Sequence, residues 1–204
     1  MLKMFKRFTR LIEKKNIASL RKKLLLIIKE IFKDNSYILD IGCGNNGSLN
    51  YWEIEKKFRL LGIDIEENSV RKFNKFYEKH GFKAINSSIE KFDSRKKFDI
   101  IVVAGVIMYL KNPERILKKI SKMLKGGGLL VISTTNKEYF LRRVGLVTKK
   151  PKAIAGETFV FSLLELNNLL QNCKFKIISE FGTKFLCLPY EFGADIGVVA
   201  KKSS

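Results

Sequence analysis

Between Phe98 and Ser133 the chain spells an apolar run, a capped amphipathic segment and a second apolar run, an order that few folds accept. Phe98 to Val103 and Leu129 to Ser133 are short and mostly apolar at successive positions, the pattern of strands buried on both faces. Between them Asn112 suits a helix cap and Pro113 the first turn, while Ile116, Leu117, Ile120 and Leu124 recur at helical spacing and Gly126-Gly127-Gly128 ends the segment. Two buried strands joined by such a helix form a parallel pair with a crossover connection.

The same alternation extends in both directions. Further strands are expected at Tyr37 to Ile41, Arg59 to Asp64, Lys83 to Asn86, Phe175 to Glu180 and Ile196 to Ala200, with helices near 48–57, 67–80 and 162–172. The last two strands have no helix between them, and a short connection through Pro189 and Gly193 suits an antiparallel pair. The expected fold class is therefore α/β: a doubly wound, seven-stranded, mostly parallel sheet with an antiparallel last strand. N-terminal helices precede it. Leu2, Phe5, Phe8 and Ile12, interleaved with Lys3, Lys6, Arg7, Arg10 and Lys14, describe a basic amphipathic helix over 2–14. Ser19 would cap a second helix carrying Leu20, Leu24, Ile27, Ile28 and Ile31 on one face and ending near Asp34-Asn35.

A length of 204 residues fits one domain spanning 1–204, with 1–34 as a basic helical extension and 137–161 as a segment over the substrate side. No apolar run reaches membrane-spanning length, and the N-terminus has no continuous apolar stretch or cleavage site of a secretory signal, so a cytoplasmic location is expected. Cys43, Cys173 and Cys187 are isolated, which argues against a disulfide framework and against a metal site. The net charge of +20 draws anions, and residues 1–34 hold eleven Lys/Arg against three Asp/Glu. The same excess also arises in a chain that simply uses lysine as its solvated residue.

The stretch DIGCGNNG, Asp40 to Gly47, follows the first strand and contains a literal G-x-G-x-x-G. Gly42 and Gly44 let the backbone turn sharply and approach a ligand. Asp64, at the end of the second strand, is placed to accept hydrogen bonds from two ribose hydroxyls. Those two features alone fit any adenosine-bearing ligand, dinucleotides included.

The segments 38–49, 60–70, 85–92, 97–136 and 158–177 together resemble the ordered motifs of class I S-adenosylmethionine-dependent methyltransferases, nearest to the small-molecule branch that includes quinone-biosynthesis O-methyltransferases. The likeness covers roughly residues 36 to 201. It implies the Rossmann-like methyltransferase fold, S-adenosylmethionine as cofactor and S-adenosylhomocysteine as product. It also implies roles: Asp40, Gly42 and Gly44 at the methionine end, Asp64 at the ribose, Ser88 and Ile89 at the adenine edge, and Val103 and Ala104 near the methionyl amine, with Asn45 and Ile65 as further cofactor-binding residues.

The chain departs from its relatives in several places. They carry a third glycine where Asn46 stands, with Gly47 one place later; Asn46 is then expected to take the left-handed turn. Ser88 replaces an adenine-contacting acid, Ala104-Gly105 and Met108-Tyr109 replace acidic and histidine pairs, and Glu157-Thr158-Phe159 stands where a histidine is frequent. His80, the only histidine, falls at a helix end far along the chain from these motifs. The candidate bases are therefore Tyr109 and Glu157.

The implied activity is methyl transfer to oxygen or nitrogen of a small or lipid-like acceptor. Two alternatives remain: an RNA methyltransferase, or a non-catalytic S-adenosylmethionine-binding partner subunit. The basic N-terminal helix, and the segment 137–152 with six basic residues and one acid, could touch an anionic membrane or RNA. The tetrapeptide of amino-group DNA methylases is absent after the fourth strand, so no DNA partner is expected.

Overall fold

A computed structural model describes residues 20, 22–31, 33–49, 51–139, 159–183 and 189–203. Helix α1 covers 22–31. It is followed by β1 (Ser36–Ile41), β2 (Phe58–Asp64), α2 (Glu67–Tyr77), β3 (Lys83–Asn86), β4 (Phe98–Ala104), α3 (Pro113–Met123), β5 (Leu124–Thr135), α4 (Leu163–Asn172), β6 (Phe175–Gly182) and β7 (Asp195–Lys202). The strands form one seven-stranded sheet in the order β3-β2-β1-β4-β5-β7-β6. The pairs among β1 to β5 are parallel, and β7 runs antiparallel to both β5 and β6.

Alternation within β4 shows why the sheet is covered twice. Ile101 and Val103 join Ile116, Leu117 and Ile120 of α3 and Leu166 and Leu170 of α4 in one core. Ile100 and Val102 join Leu24 and Ile28 of α1 and Phe73 and Tyr77 of α2 in the other. Each such side chain, fully removed from water, contributes on the order of 1.5 to 3 kcal/mol. α3 starts where the sequence says: the Asn112 side chain accepts from Arg115 N at 2.9 Å and Pro113 opens the first turn. α4 starts with a reciprocal cap, Glu165 N donating to Ser162 Oγ at 3.2 Å and Ser162 N to Glu165 Oε2 at 2.8 Å.

Three expectations are corrected. No α-helix is found among the described residues of 48–57; only Tyr51–Glu53 form a 3-10 turn. Ser48, Leu49, Tyr51 and Ile54 are all buried, so the segment is fixed by side chains pointing inward at irregular intervals instead of along one helical face. α2 stops at Tyr77 and continues as a 3-10 turn, Glu78–His80, closed by Gly81 at φ 68°. α3 ends at Met123 rather than at the glycines. Leu124, 1% exposed, is already extended and pairs with Phe98, and the three glycines occupy the irregular start of β5, with Gly127 at φ 71°. The expected helix 2–14 and the cap Ser19 lie outside the described residues.

β7 approaches its neighbours closely at Gly197. A Cβ there would stand 2.3 Å from Phe181 Cζ and 2.8 Å from Ile132 O. Gly197→Ala should therefore cost roughly 1 to 3 kcal/mol by overpacking. A chain of this size should show that as a melting temperature lower by about 2 to 4 °C per kcal/mol; an unchanged melting curve would contradict the packing described.

Candidate functional site

The strands β1 and β4 are spatial neighbours, but the chain leaves them in opposite directions across the sheet. Ligands bind beyond the carboxyl ends of strands at such a switch point. A cavity of about 340 Å³ opens there, lined by the loop Gly42 to Ser48, by Ala104, Gly105 and Met108 after β4, by Ser133 to Thr135 of β5, and by Asp195, Leu20 and Leu24.

The loop is held from below and behind. Gly42 N and Cys43 N both donate to Ile63 O, at 2.8 and 3.1 Å. Gly44 N donates to Asp64 Oδ2 at 2.8 Å, and Tyr77 OH to Asn46 O at 2.8 Å. Gly42, Gly44 and Gly47 have φ of 73°, 60° and 86°. The expectation that Asn46 takes the left-handed turn is thus corrected: Gly47 takes it, and a Cβ at that position would meet the Tyr51 ring at 2.8 Å. At Gly44 a Cβ would meet nothing within 4 Å, so the backbone there faces open space.

Asp40 is fully buried beneath this loop and does not line the cavity. Its Oδ2 accepts from Ser48 N at 2.8 Å and its Oδ1 from Ser48 Oγ at 2.6 Å. Burial pushes its pKa up to about 6, opposed by the two Ser48 bonds and by the nearby Tyr51 hydroxyl, and reinforced by the charge of Asp64. The Tyr51 hydroxyl is itself buried and lies beside the carboxylate without completing a hydrogen bond. Burial, with the charges of Asp40 and Asp64, raises the Cys43 thiol far above its ordinary value, so this cysteine is a packing residue and not a nucleophile.

Asp64 stands at the rim, where Oδ1 accepts from Glu66 N at 2.9 Å and Oδ2 from Gly44 N. A carboxylate offers about four acceptor positions, so each oxygen keeps one beyond these bonds. Ile65 beside it is 58% exposed, a large apolar side chain open to solvent at the edge of the site. Asn86 Nδ2 fixes this corner by donating to Asp64 O and Ile65 O. Ser88 begins a turn whose carbonyl accepts from Lys91 N and Phe92 N, and Ile89 is buried with Phe92 in the core. Val103 is buried, and Ala104 reaches the cavity. Gly42, Gly44, Asn45 and Ala104 are thus brought together on the wall, Asp64 and Ile65 at its flank, and Ser88 and Ile89 beyond them.

Tyr109 ends a 3-10 turn, Ile107–Tyr109, and does not line the cavity. Phe159 N donates to Met108 O at 2.8 Å, which lays the start of the last helical segment across that turn. Glu157 lies outside the described residues, as does most of the segment 137–161. His80 is exposed and stacks on Phe82 on the α2 side. The sequence did not single out Ser48, Tyr51 or the Ser133-Thr134-Thr135 wall. The one available signal was the change from apolar to hydroxyl residues at the carboxyl end of β5. Among the described residues no cluster of His, Cys, Asp or Glu could hold a metal ion.

A glycine turn at the switch point of a seven-stranded sheet, backed by a buried acid and flanked by a second acid on the next strand, defines a nucleoside-cofactor protein of the α/β class. Residues 32–182 match the family described as "Methyltransferase domain", and the chain belongs to that family. It is 31% identical over 147 residues to malonyl-[acyl-carrier protein] O-methyltransferase 2 of Ilyobacter polytropus, covering 70% of this chain and 55% of that one. It is 25% identical over 148 residues to the ubiquinone biosynthesis O-methyltransferase of Rickettsia conorii, covering 69% and 51%. The chain spans about half the length of the curated relatives it matches. The N-methyltransferase NodS of Bradyrhizobium japonicum, solved with S-adenosyl-L-homocysteine, has the same fold: TM-score 0.70, 18% identity, 92% of this chain and 88% of that one.

Proposed function

We propose that this chain binds S-adenosylmethionine in the switch-point cavity and transfers its methyl group to oxygen or nitrogen of a small or lipid-like acceptor. The observation that carries the reading is the tie between the Gly42–Ser48 turn and Asp64, which accepts from Gly44 N and keeps two further acceptor positions, in a chain of the methyltransferase family. The loop glycines give the methionyl part a backbone surface free of side chains. Asp64 accepts from the ribose diol, and Ile65 gives the adenine an apolar face. When bound, the cofactor supplies an electrophilic methyl on a sulfonium.

The rest is positioning and exclusion of water. Leu20, Leu24 and Met108 dry one side of the cavity, while the part-buried Thr135 hydroxyl on its wall can orient a polar acceptor. Among the described lining residues there is no histidine. An amine nitrogen or an oxygen already ionised would attack without an assisting base, and a hydroxyl acceptor would need one, for which Asp195 is the carboxylate on the described wall.

Calorimetric titration of the purified chain with S-adenosylhomocysteine should give one site per chain, with no competition from NAD. Tight NAD binding without S-adenosylhomocysteine binding would overturn the reading. Transfer of a labelled methyl group by the chain alone would exclude a purely structural partner role.

A further inference from the structure

We propose that the outer face of α3, with the loop that leads into β4, is a binding surface for the phosphate backbone of single-stranded RNA. Arg115, Lys118, Lys119 and Lys122 follow one another at intervals of three, one and three residues, on the face opposite Ile116, Leu117, Ile120 and Met123. They line a shallow depression of about 520 Å³ that lies apart from the switch-point cavity. Over seven residues a helix rises about 10 Å, so the stripe is a patch of cations of that length, with Lys118 and Lys119 side by side at its middle. Lys91 and Lys96, both exposed, lie in the loop that leads into β4.

The acids in reach cancel only part of the row. Glu114 pairs with Lys118 at 2.6 Å and takes up one of the four charges, while Asp99 pairs with Lys125 at 2.8 Å, outside the row. Lys119 Nζ donates to the backbone Glu90 O at 2.9 Å, and Glu90 and Asp93 are the exposed acids of that loop, against Lys91, Arg95, Lys96 and Lys97.

The chemistry of the face selects the partner. Docking on a membrane surface buries large apolar side chains, and a protein interface is built around an apolar centre from which lysine is depleted. The large exposed apolar residues among those described are Leu26, Ile65, Phe76, Ile85, Phe159, Leu164 and Ile178, and none lies on α3 or in 91–97. A nucleic-acid backbone is the polyanion that binds by charge alone, releasing counterions as it does so. A stripe on one face of a helix that is itself about 10–12 Å across engages one strand, whereas a duplex presents two backbones across a groove about 12 Å wide.

The test uses the full chain and a fluorescent oligouridine probe, titrated between about 50 and 200 mM salt. A variant carrying Arg115→Gln, Lys118→Gln, Lys119→Gln and Lys122→Gln should bind at least roughly tenfold more weakly at the low-salt end. Its slope of log affinity against log salt should be shallower by about 2 to 3. A second variant removes the same charge elsewhere, through Lys72→Gln, Lys75→Gln, Lys79→Gln and Lys83→Gln, and should keep most of the affinity and the slope. Equal losses in the two variants would show that net charge alone attracts RNA and would overturn the surface. So would the absence of binding by the unaltered chain, or tighter binding to phosphatidylserine vesicles, polyglutamate or duplex DNA than to oligouridine. S-adenosylhomocysteine titration and a melting curve accompany each variant. Both should be unchanged, so failure of the cofactor reading is separable from failure of this one.

Discussion

Asp64→Ala should bind S-adenosylhomocysteine more weakly by about 1.5 to 3 kcal/mol, the worth of charge-assisted hydrogen bonds to the ribose. Part of the loss has a second origin, because the same carboxylate accepts from Gly44 N and Glu66 N and so ties the glycine turn to the end of β2. Asp64→Asn separates the two. An amide oxygen can still accept from one backbone amide, but the side chain no longer offers charge to the diol. Calorimetry on both variants, with circular dichroism to confirm folding, gives the comparison. Unchanged affinity in a folded Asp64→Ala protein would remove Asp64 from the site.

The second large effect is on stability and concerns Asp40. Its pKa in the folded chain is about 6, raised from an ordinary 3.8 chiefly by burial. A raised folded pKa means that the folded state holds the proton more tightly than the unfolded state. The contribution is fully present below the unfolded value and is lost as pH rises towards and through 6. Two units correspond to about 3 kcal/mol. Asp40→Asn does not titrate and can still accept from Ser48 N and donate to Ser48 Oγ. Its stability relative to the unaltered chain should therefore improve by about 2 to 2.5 kcal/mol between pH 4 and pH 7. Asp99 works in the opposite sense: despite partial burial, Lys125 and the Tyr37 amide hold it below its ordinary value. It is present in both proteins and cancels in the difference. Urea unfolding across that range measures the effect, and a difference flat with pH would mean that Asp40 is not buried as described.

The glycine run after β1 shows how far the letters reach. Read against the family, Gly47 is displaced and Asn46 is left to make the turn. In the folded chain all three glycines of G-x-G-x-x-G have positive φ and Asn46 does not. At position 47 the Tyr51 ring occupies the space a Cβ would need, so glycine is the residue that fits there. Tyr51 sits there because 48–57 is not the expected amphipathic helix but an inward-facing segment with a short 3-10 turn. Periodicity cannot reveal a segment whose side chains are buried at irregular intervals.

Asp40 carries the same lesson. Its place before the glycines marks a methyltransferase-type loop, yet its oxygens serve Ser48 and it stays out of the cavity.

Alternation of buried strands with capped helices, together with short-range turn signals, set the α/β class, the strand sequence and the antiparallel last strand. These depend on residues within a few positions of one another, which is what a linear pattern records. Only the tertiary structure set the strand order, and with it the wall of the site. Ser133 to Thr135 face Ala104 because β5 pairs with β4, and Asp195 joins them because β7, about sixty residues later in the chain, inserts beside β5. Burial decided the rest: a carboxylate held near pH 6 and a cysteine made inert are properties of surroundings assembled from distant segments, and no local run of residues contains them.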